Sequence, residues 1–173
     1  MVEQILHLSD QTVDLKRNEF LKVKGSVDTN VYYVECGSVR VYITDGCEEC
    51  TIRFGYADNL IVALDSFLTG KPSALIIQAI KKTTVRIISK TSIDGLMQTA
   101  EHQSLWTSIL EDLVLQQHER EVDLLTRSPK ERYRRVLERS PRLFQEIPNR
   151  HIANYLRMSP ETLSRLKARF LKS

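Results

Sequence analysis

The C-terminal part of the chain places apolar and polar residues with the spacing of two short helices. In IPNRHIANYLRMSPETLSRLKARF, apolar or small residues recur every three or four positions on both sides of a three-residue break. Ser159-Pro160-Glu161 is a strong helix start, because serine caps free N–H groups, proline suits the first turn and an acid suits the positive end of the helix dipole. The pattern from Ile147 to Phe170 predicts a helix-turn-helix. The alternative is an ordinary amphipathic helical pair that ends a globular domain.

The polar face of this segment carries residue types that contact DNA. A carboxylate can accept from cytosine N4, arginine can donate to guanine O6 and N7, and hydroxyls and other arginines can bind phosphate. The candidate DNA-contacting residues are Arg150, Arg157, Ser159, Glu161, Thr162, Ser164, Arg165 and Arg169.

Short β-type runs, separated by turn residues, occupy the region from about Phe20 to Ser89. They include Val31–Glu35, Val39–Ile43, Thr51–Phe54 after the Asp45-Gly46 turn, Leu75–Ile80 and Thr84–Ile88. Strands this short and this closely spaced are typical of an antiparallel barrel or jelly-roll. With the helices that follow, the predicted fold class is α+β.

One long helix is predicted over Ile93–Arg127, where apolar positions recur with four-three spacing. Such a seam pairs two helices in a coiled coil, although a helix that packs only on its own barrel is the alternative. The candidate dimer-interface residues are Trp106, Leu110, Leu113, Gln117, Arg120 and Leu124.

A capped break then separates the long helix from the C-terminal helices. Ser128-Pro129-Lys130-Glu131 has the residues of a capping box with proline at the first helical position, so a new helix is predicted from there to about Arg139. The predicted organisation is a β-roll sensor domain over 1–100, a dimerisation helix over 101–127 and a helix-turn-helix domain over 128–173.

Charge is distributed unevenly between these parts. Residues 129–173 hold twelve basic and four acidic residues, a balance of +8 in a chain whose total is +3, which leaves −5 for residues 1–128. A basic C-terminal quarter on an acidic body indicates that one part meets a polyanion, for which we expect nucleic acid.

This order of elements, with Gly37 and Ser159-x-Glu161-Thr162-x-x-Arg165, resembles the Crp/Fnr family of bacterial transcription regulators. NEFLKVKG and VYYVECGSVRVYI are similar to the first strands of that family, SFLTGKPS to the turn around its ligand pocket, and YLRMSPETLSRLK to its recognition element. The resemblance implies a cyclic-nucleotide-binding-like β-roll and a winged helix-turn-helix. It also implies a homodimer on a two-fold site in double-stranded DNA, with Glu161 and Arg165 as base-reading residues and RNA polymerase as a further candidate partner.

The ligand site departs from the pattern of the cyclic-nucleotide-binding members. Those members hold the ribose with a Gly-Glu pair and the cyclic phosphate with an arginine, whereas here Val62-Ala63 and Pro72 stand at these positions. We expect an apolar pocket that does not bind cyclic nucleotides, and either a different, unidentified effector or none. The candidate pocket residues are Val62, Ala63, Leu64, Lys71, Ser73 and Ala74.

Other chemistry has little support in the sequence. Cys47-Glu48-Glu49-Cys50 has the spacing of a metal half-site or a redox pair, but with Cys36 the chain has only three cysteines and a tetrahedral site needs four ligands. We therefore expect no metal. The sequence also has no Gly-rich phosphate loop, nucleophile elbow or paired-carboxylate arrangement that we can place, so we expect no cofactor and no enzymatic activity. The odd cysteine count and the lack of a signal-peptide pattern or a membrane-spanning apolar run predict a cytoplasmic protein that does not bind membranes.

The sequence therefore leaves two classes of function open. The first is a homodimeric, sequence-specific DNA-binding transcription regulator with a sensor domain that has lost its phosphate and ribose anchors. The alternative is a protein-interaction or thiol-redox sensing module whose C-terminal helices do not read DNA.

Overall fold

A computed structural model describes residues 6–9 and 11–170 of the chain. Within them, eight strands form two four-stranded antiparallel sheets in the orders β1-β8-β3-β6 and β2-β7-β4-β5. The strands are β1 Gln11–Leu15, β2 Phe20–Lys22, β3 Val31–Cys36, β4 Ser38–Asp45, β5 Glu48–Tyr56, β6 Leu60–Val62, β7 Ile76–Ala79 and β8 Thr83–Ile88. The helices are α1 Leu64–Thr69, α2 Lys90–Leu96, α3 Ala100–Leu125, α4 Pro129–Arg139, α5 Leu143–Glu146, α6 Asn149–Tyr155 and α7 Pro160–Phe170.

The two sheets enclose an aliphatic core, which makes them a β-roll. Val39 and Val41 on β4 pair with Ala79 and Ile77 on β7, and all four side chains are buried in the same cluster. Alternate residues of a strand point to the same face, so this register directs one face of each strand inward. The fold is therefore α+β with an antiparallel roll, as predicted.

The predicted strands are present with small differences at their ends, and the Asp45-Gly46 turn joins β4 to β5 with Asp45 paired to Glu48. Gly37 joins β3 to β4 at φ 87°, and a Cβ on it would lie 2.4 Å from the carbonyl oxygen of Lys82. Only glycine fits both requirements. The strands β1 and β6 and the helix α1 were not predicted.

The prediction of one helix over Ile93–Arg127 is wrong at its N-terminal end. Helix α2 ends at Leu96, and α3 begins at Ala100 after an extended residue, Thr99. The Thr99 hydroxyl accepts the His102 N–H at 3.4 Å and lies 2.7 Å from His102 Nδ1. Threonine favours such a cap over a helix interior, because its hydroxyl satisfies an N–H that lacks a helical partner.

Helix α3 packs along the roll with half of the stripe predicted for the dimer interface. Trp106, Leu113 and Arg120 are buried within the chain, with the Trp106 ring centroid 5.4 Å from that of Phe67. Leu110 is half-buried, whereas Gln117 and Leu124 are exposed. The four-three pattern therefore mixes an intramolecular face with a solvent face. Large apolar side chains of α3 that are exposed are Val114, Leu115, Leu124 and Leu125.

The C-terminal helices share a core with the outside of the roll. Phe54 and Ile80 belong to the same buried cluster as residues of α4, α6 and α7. All regular elements within 129–170 are helices, so the winged form implied by the resemblance is not found there. Only nine residues, with two prolines and the short α5, join α4 to α6, and proline cannot donate to a β-ladder. The last three residues of the predicted helix-turn-helix domain, 171–173, lie outside the described residues. They include Lys172, one of the twelve basic residues counted in the sequence.

No helix in the described part of the chain is long and apolar enough to cross a membrane.

Candidate nucleic-acid interface

Helices α6 and α7 form the predicted helix-turn-helix. Ala153 of the first helix, Leu156 just after it, and Leu163 and Leu166 of the second helix are buried in one cluster. The turn between them closes with the Met158 N–H donating to the Ala153 carbonyl oxygen at 3.0 Å. Ala153 is almost fully buried, which agrees with a small residue where two helices approach closely.

Arg157 occupies the left-handed position of this turn. Its φ is 52°, a conformation that costs a non-glycine residue about 1 kcal/mol or more. The side chain is exposed. Glycine would adopt this positive φ without the same cost.

The start of α7 is capped as predicted. The Ser159 hydroxyl accepts the Thr162 N–H at 3.2 Å, and the Ser159 carbonyl oxygen accepts the Leu163 N–H at 3.1 Å. Hydrogen bonds to the Glu161 carboxylate from its own backbone N–H and from the Ser159 hydroxyl lower the pKa of Glu161. Glu161 is therefore ionised at neutral pH and is available as a hydrogen-bond acceptor.

One face of α7 is free of packing contacts with the core. Glu161, Ser164, Arg165 and Arg169 are exposed. Arg165 Nη2 donates to the Thr162 hydroxyl at 3.3 Å, which holds that guanidinium near the N-terminal half of the helix. Counted from Glu161, the other three residues lie three, four and eight positions further on, so all four share one side of the helix.

Ion pairing separates the arginines of residues 129–170 that bind carboxylates from those that do not. Arg135 and Arg139 bind carboxylates of α3, Glu119 and Asp123, while Arg134 binds acids of its own helix. Among the described residues, the four arginines named as DNA-contact candidates make no salt bridge to a carboxylate. These are Arg150, Arg157, Arg165 and Arg169. Much of the positive charge on α4 is thus neutralised by carboxylates, whereas the positive charge on the helix-turn-helix is not.

Arg132 is a structural anchor that the sequence reasoning missed. Its side chain is 9% exposed, and it donates to carbonyl oxygens at both ends of the C-terminal unit. Nε reaches Leu156 at 2.8 Å and Nη2 reaches Arg157 at 3.1 Å, while Nη1 reaches Thr126 at 2.6 Å. Its position beside Tyr133, on the side of α4 that carries the apolar residues, could have indicated that Arg132 is buried. The sequence could not show which carbonyl groups it satisfies.

Asn154 connects the helix-turn-helix to the β4–β5 hairpin and was also missed. Its Oδ1 accepts the Thr51 N–H at 2.9 Å, and its Nδ2 donates to the Glu49 carbonyl oxygen at 2.7 Å. The Tyr155 ring packs 5.4 Å from the Phe54 ring beside it. Strand β5 lies at the edge of its sheet, so the amide satisfies backbone groups that no neighbouring strand pairs with.

The predicted ligand-pocket residues lie around α1 and the loop after it. Ala63 is fully buried and Ser73 is buried, whereas Lys71 and Ala74 are exposed and Val62 and Leu64 are half-buried. The Ser73 hydroxyl accepts the Leu75 N–H, and the buried Lys22 ammonium group donates to the Leu75 carbonyl oxygen at 2.9 Å. These residues adjoin α1 and the loop after it, and none of the six is an arginine or a glutamate.

The cysteines do not form a cluster with other metal ligands. Cys47 is exposed at the turn of the β4–β5 hairpin, whereas Cys50 is buried, and all three thiols are free. In the described part of the chain, no group of three or more histidine, cysteine, aspartate or glutamate side chains could hold a metal ion.

The architecture is similar to that of several solved structures. FixK2 from Bradyrhizobium japonicum matches with a TM-score of 0.78 at 17% identity, over 94% of this chain and 84% of that one. A CooA mutant from Carboxydothermus hydrogenoformans gives 0.73 at 18% identity, over 98% and 79%. A CRP-family transcriptional regulator from Thermus thermophilus gives 0.66 at 16% identity, over 92% and 84%. The chain has a Crp/Fnr-type fold.

No family model matches the sequence, and no curated protein matches it. At these identities the Crp/Fnr-type likeness establishes the arrangement of the elements. The similarity covers both the roll and the helix-turn-helix, because each match includes more than nine-tenths of this chain.

Proposed function

We propose that this protein is a sequence-specific DNA-binding transcription regulator, with helix α7 as its recognition helix. The observation that carries the proposal is the exposed face of α7, where Glu161, Arg165 and Arg169 lie on one side without ion-pair partners among the described residues. A helix of this width fits the major groove, in which Arg165 donates to guanine and Glu161 accepts from cytosine. Arg150 and Arg157 flank this face and bind phosphate. Ser159, Thr162 and Ser164 supply shorter polar contacts.

The active form in this proposal is a homodimer. Its two recognition helices lie about 34 Å apart on one side of a two-fold DNA site. The exposed apolar residues of α3 support the dimer, because a surface helix of a monomer usually keeps such residues inside. Val114 and Leu125 are eleven positions apart, which is about three turns, so they lie on one line along the helix. The interface we propose is centred on this line and includes Leu110, Gln117 and Leu124 at its edge.

Sequence selection from random duplex DNA, followed by binding measurements at several salt concentrations, tests the proposal. Arg165→Ala should weaken binding to the selected site by about 1–3 kcal/mol and relax the preference at one base pair in each half-site. Arg169→Ala should weaken binding to all DNA sequences alike and reduce the salt dependence of binding. Arg134→Ala is the control, since this arginine lies on α4, away from the recognition helix, and is bound to Glu131 and Glu138 of α4 itself.

Two outcomes would count against the proposal. If Arg165→Ala weakened binding to the selected site and to random DNA equally, Arg165 would not be a base-reading residue. Failure of selection to enrich any site, with no salt-dependent DNA binding, would favour a protein-interaction module.

We further propose that cyclic AMP and cyclic GMP are not effectors of this protein. At the positions that hold the cyclic nucleotide in binding members, Ala63 is fully buried and Pro72 has no charge. Burial of a phosphate without a charged partner costs several kcal/mol. Titration calorimetry should show no binding in the micromolar range. Micromolar binding would mean that Lys71 or another cation replaces the missing arginine.

A further inference from the structure

A cavity of about 440 Å³ lies where the roll, α3 and the C-terminal helices meet. We call it the interdomain cavity. Its size is within the range of small-molecule sites, which are about 300–1,000 Å³. None of the six residues predicted for the ligand pocket lines it. Its walls come from β5 and β6, the middle of α3, the end of α4 and Tyr155 of α6.

Arg120 lines this cavity, and two of its side-chain nitrogens have no hydrogen-bond partner among the described residues. The residue is 5% exposed, and its Cζ lies 3.7 Å from the centroid of the Tyr155 ring. Nη2 donates to the Thr51 carbonyl oxygen at 3.0 Å, but Nε and Nη1 are buried without a hydrogen-bond partner among the described residues. A buried guanidinium with two unpaired nitrogens is costly, and the same burial lowers the pKa of Arg120.

The other charged groups around the cavity are already in use or lie towards solvent. Arg139 is bound to Asp123, and Arg53 donates to the Gln116 amide oxygen. Asp58 and Asp112 lie at its solvent side, and Asp58 accepts a hydrogen bond from the Tyr33 hydroxyl. Three arginines against two aspartates leave a balance of +1 at the wall. The acids would repel a dianion, so the balance favours a single negative charge.

Part of the wall is apolar and aromatic. Ile52, Phe54, Leu60, Leu113 and Tyr155 line it together. A ligand that fits must therefore present apolar surface to these side chains and acceptor oxygens to Arg120. Carboxylate oxygens bind guanidinium donors through charge-assisted hydrogen bonds, which are about twice as strong as neutral ones.

We propose that the interdomain cavity binds a small organic carboxylate with an aromatic or apolar body, and that Arg120 is the group that recognises its carboxylate. Such a ligand contacts β5, α3 and α6 at once. It therefore bridges the roll and the helix-turn-helix at the place where Asn154 and Tyr155 already join them. The proposal does not depend on DNA binding, and its test measures the ligand directly.

The experiment compares benzoate with benzamide, which have the same ring and differ in the negative charge. Each is titrated into the full-length protein by calorimetry and by ¹⁵N–¹H spectra of the arginine Nε–H groups. The Arg120 Nε signal is assigned by its loss in Arg120→Met. The matched control is Arg127→Met, because Arg127 does not line the cavity.

Benzoate should bind at least tenfold more tightly than benzamide and should shift the Arg120 Nε–H proton downfield. Arg120→Met should weaken benzoate binding at least tenfold and leave benzamide binding unchanged, while Arg127→Met should behave as the wild type. Arg120→Lys, which keeps the charge, serves in place of Arg120→Met if that variant does not fold, and it should lose part of the affinity. Absence of benzoate binding overturns the proposal, as does equal binding of the two compounds or full retention of benzoate binding in the Arg120 variant.

Discussion

The guanidinium of Arg132 donates from Nη2 to the carbonyl oxygen of Arg157, at a distance of 3.1 Å. Arg157 is the residue with φ 52° in the turn between the two helices of the helix-turn-helix. The contact holds a strained turn against the first residues after α3, because the same side chain binds the Thr126 and Arg127 carbonyl oxygens. The orientation of the proposed recognition helix is thereby tied to the end of α3.

Loss of this anchor should destabilise the protein strongly. Arg132→Met removes hydrogen bonds to four carbonyl oxygens, those of Thr126, Arg127, Leu156 and Arg157. We expect the free energy of unfolding in urea to fall by about 3 kcal/mol, since buried acceptors are left without partners. The control is Arg134→Met on the same helix. Its ion pairs should contribute much less, because solvent screens exposed pairs, and equal losses in the two variants would contradict the anchoring role.

The left-handed backbone at Arg157 gives a second prediction. Arg157→Gly should raise the free energy of unfolding by about 1 kcal/mol, because glycine adopts a positive φ without a steric cost. Arg157→Ala removes the same side chain and keeps the strain, so it should bring no gain. Both variants should lose the same phosphate contact and reduce the salt dependence of DNA binding equally. A stability gain in the alanine variant would show that the side chain, and not the backbone, is unfavourable.

His151 should make stability depend on pH. Burial and the nearby Arg40 and Arg150 lower the pKa of His151 to about 4 from 6.5. Arg150 Nε also donates to His151 Nε2 at 3.1 Å, which requires that nitrogen to be unprotonated. The unfolded chain therefore binds the proton more readily. The contribution of unprotonated His151 to the free energy of unfolding is complete above pH 6.5 and is lost as the pH falls from there to about 4.

Urea unfolding at pH 7 and pH 5 checks this dependence, with His151→Gln as the comparison. The variant should lose less stability over this interval than the wild type. An NMR titration should place the pKa of His151 well below 6.5. A pKa at or above that value would refute the prediction.

The exposed apolar line of α3 predicts the site of self-association. Val114→Glu with Leu125→Glu should reduce a dimer to a monomer in sedimentation at tens of micromolar, because two carboxylates per subunit would be desolvated in the interface. Leu68→Glu is the matched control, since Leu68 is 58% exposed on α1. An unchanged mass for the α3 variant, or a monomeric wild type, would contradict the proposed interface.

Local sequence signals determined much of the helix-turn-helix. Ser159-Pro160-Glu161 set the start of α7, and Ser128-Pro129 set the start of α4, because caps and proline act within one turn of the chain. Most strands of the roll were predicted from runs of β-favouring residues between turn residues, which are also local signals. The exposed face of α7, with Arg165 and Arg169, followed from the 3.6-residue period alone.

Only the tertiary structure decided which face of α3 meets the roll and what the buried arginines bind. Trp106, Leu113 and Arg120 fit a coiled-coil seam in sequence, yet their side chains pack inside the chain, because an apolar stripe specifies burial but not the partner. Arg132 satisfies backbone groups up to 25 residues away along the chain, and Asn154 satisfies groups up to 105 residues away. Such pairings depend on how the folded elements meet. The sequence by itself therefore determined the elements and the exposed polar face of α7, whereas the three-dimensional packing decided the anchors and created the cavity beside Arg120.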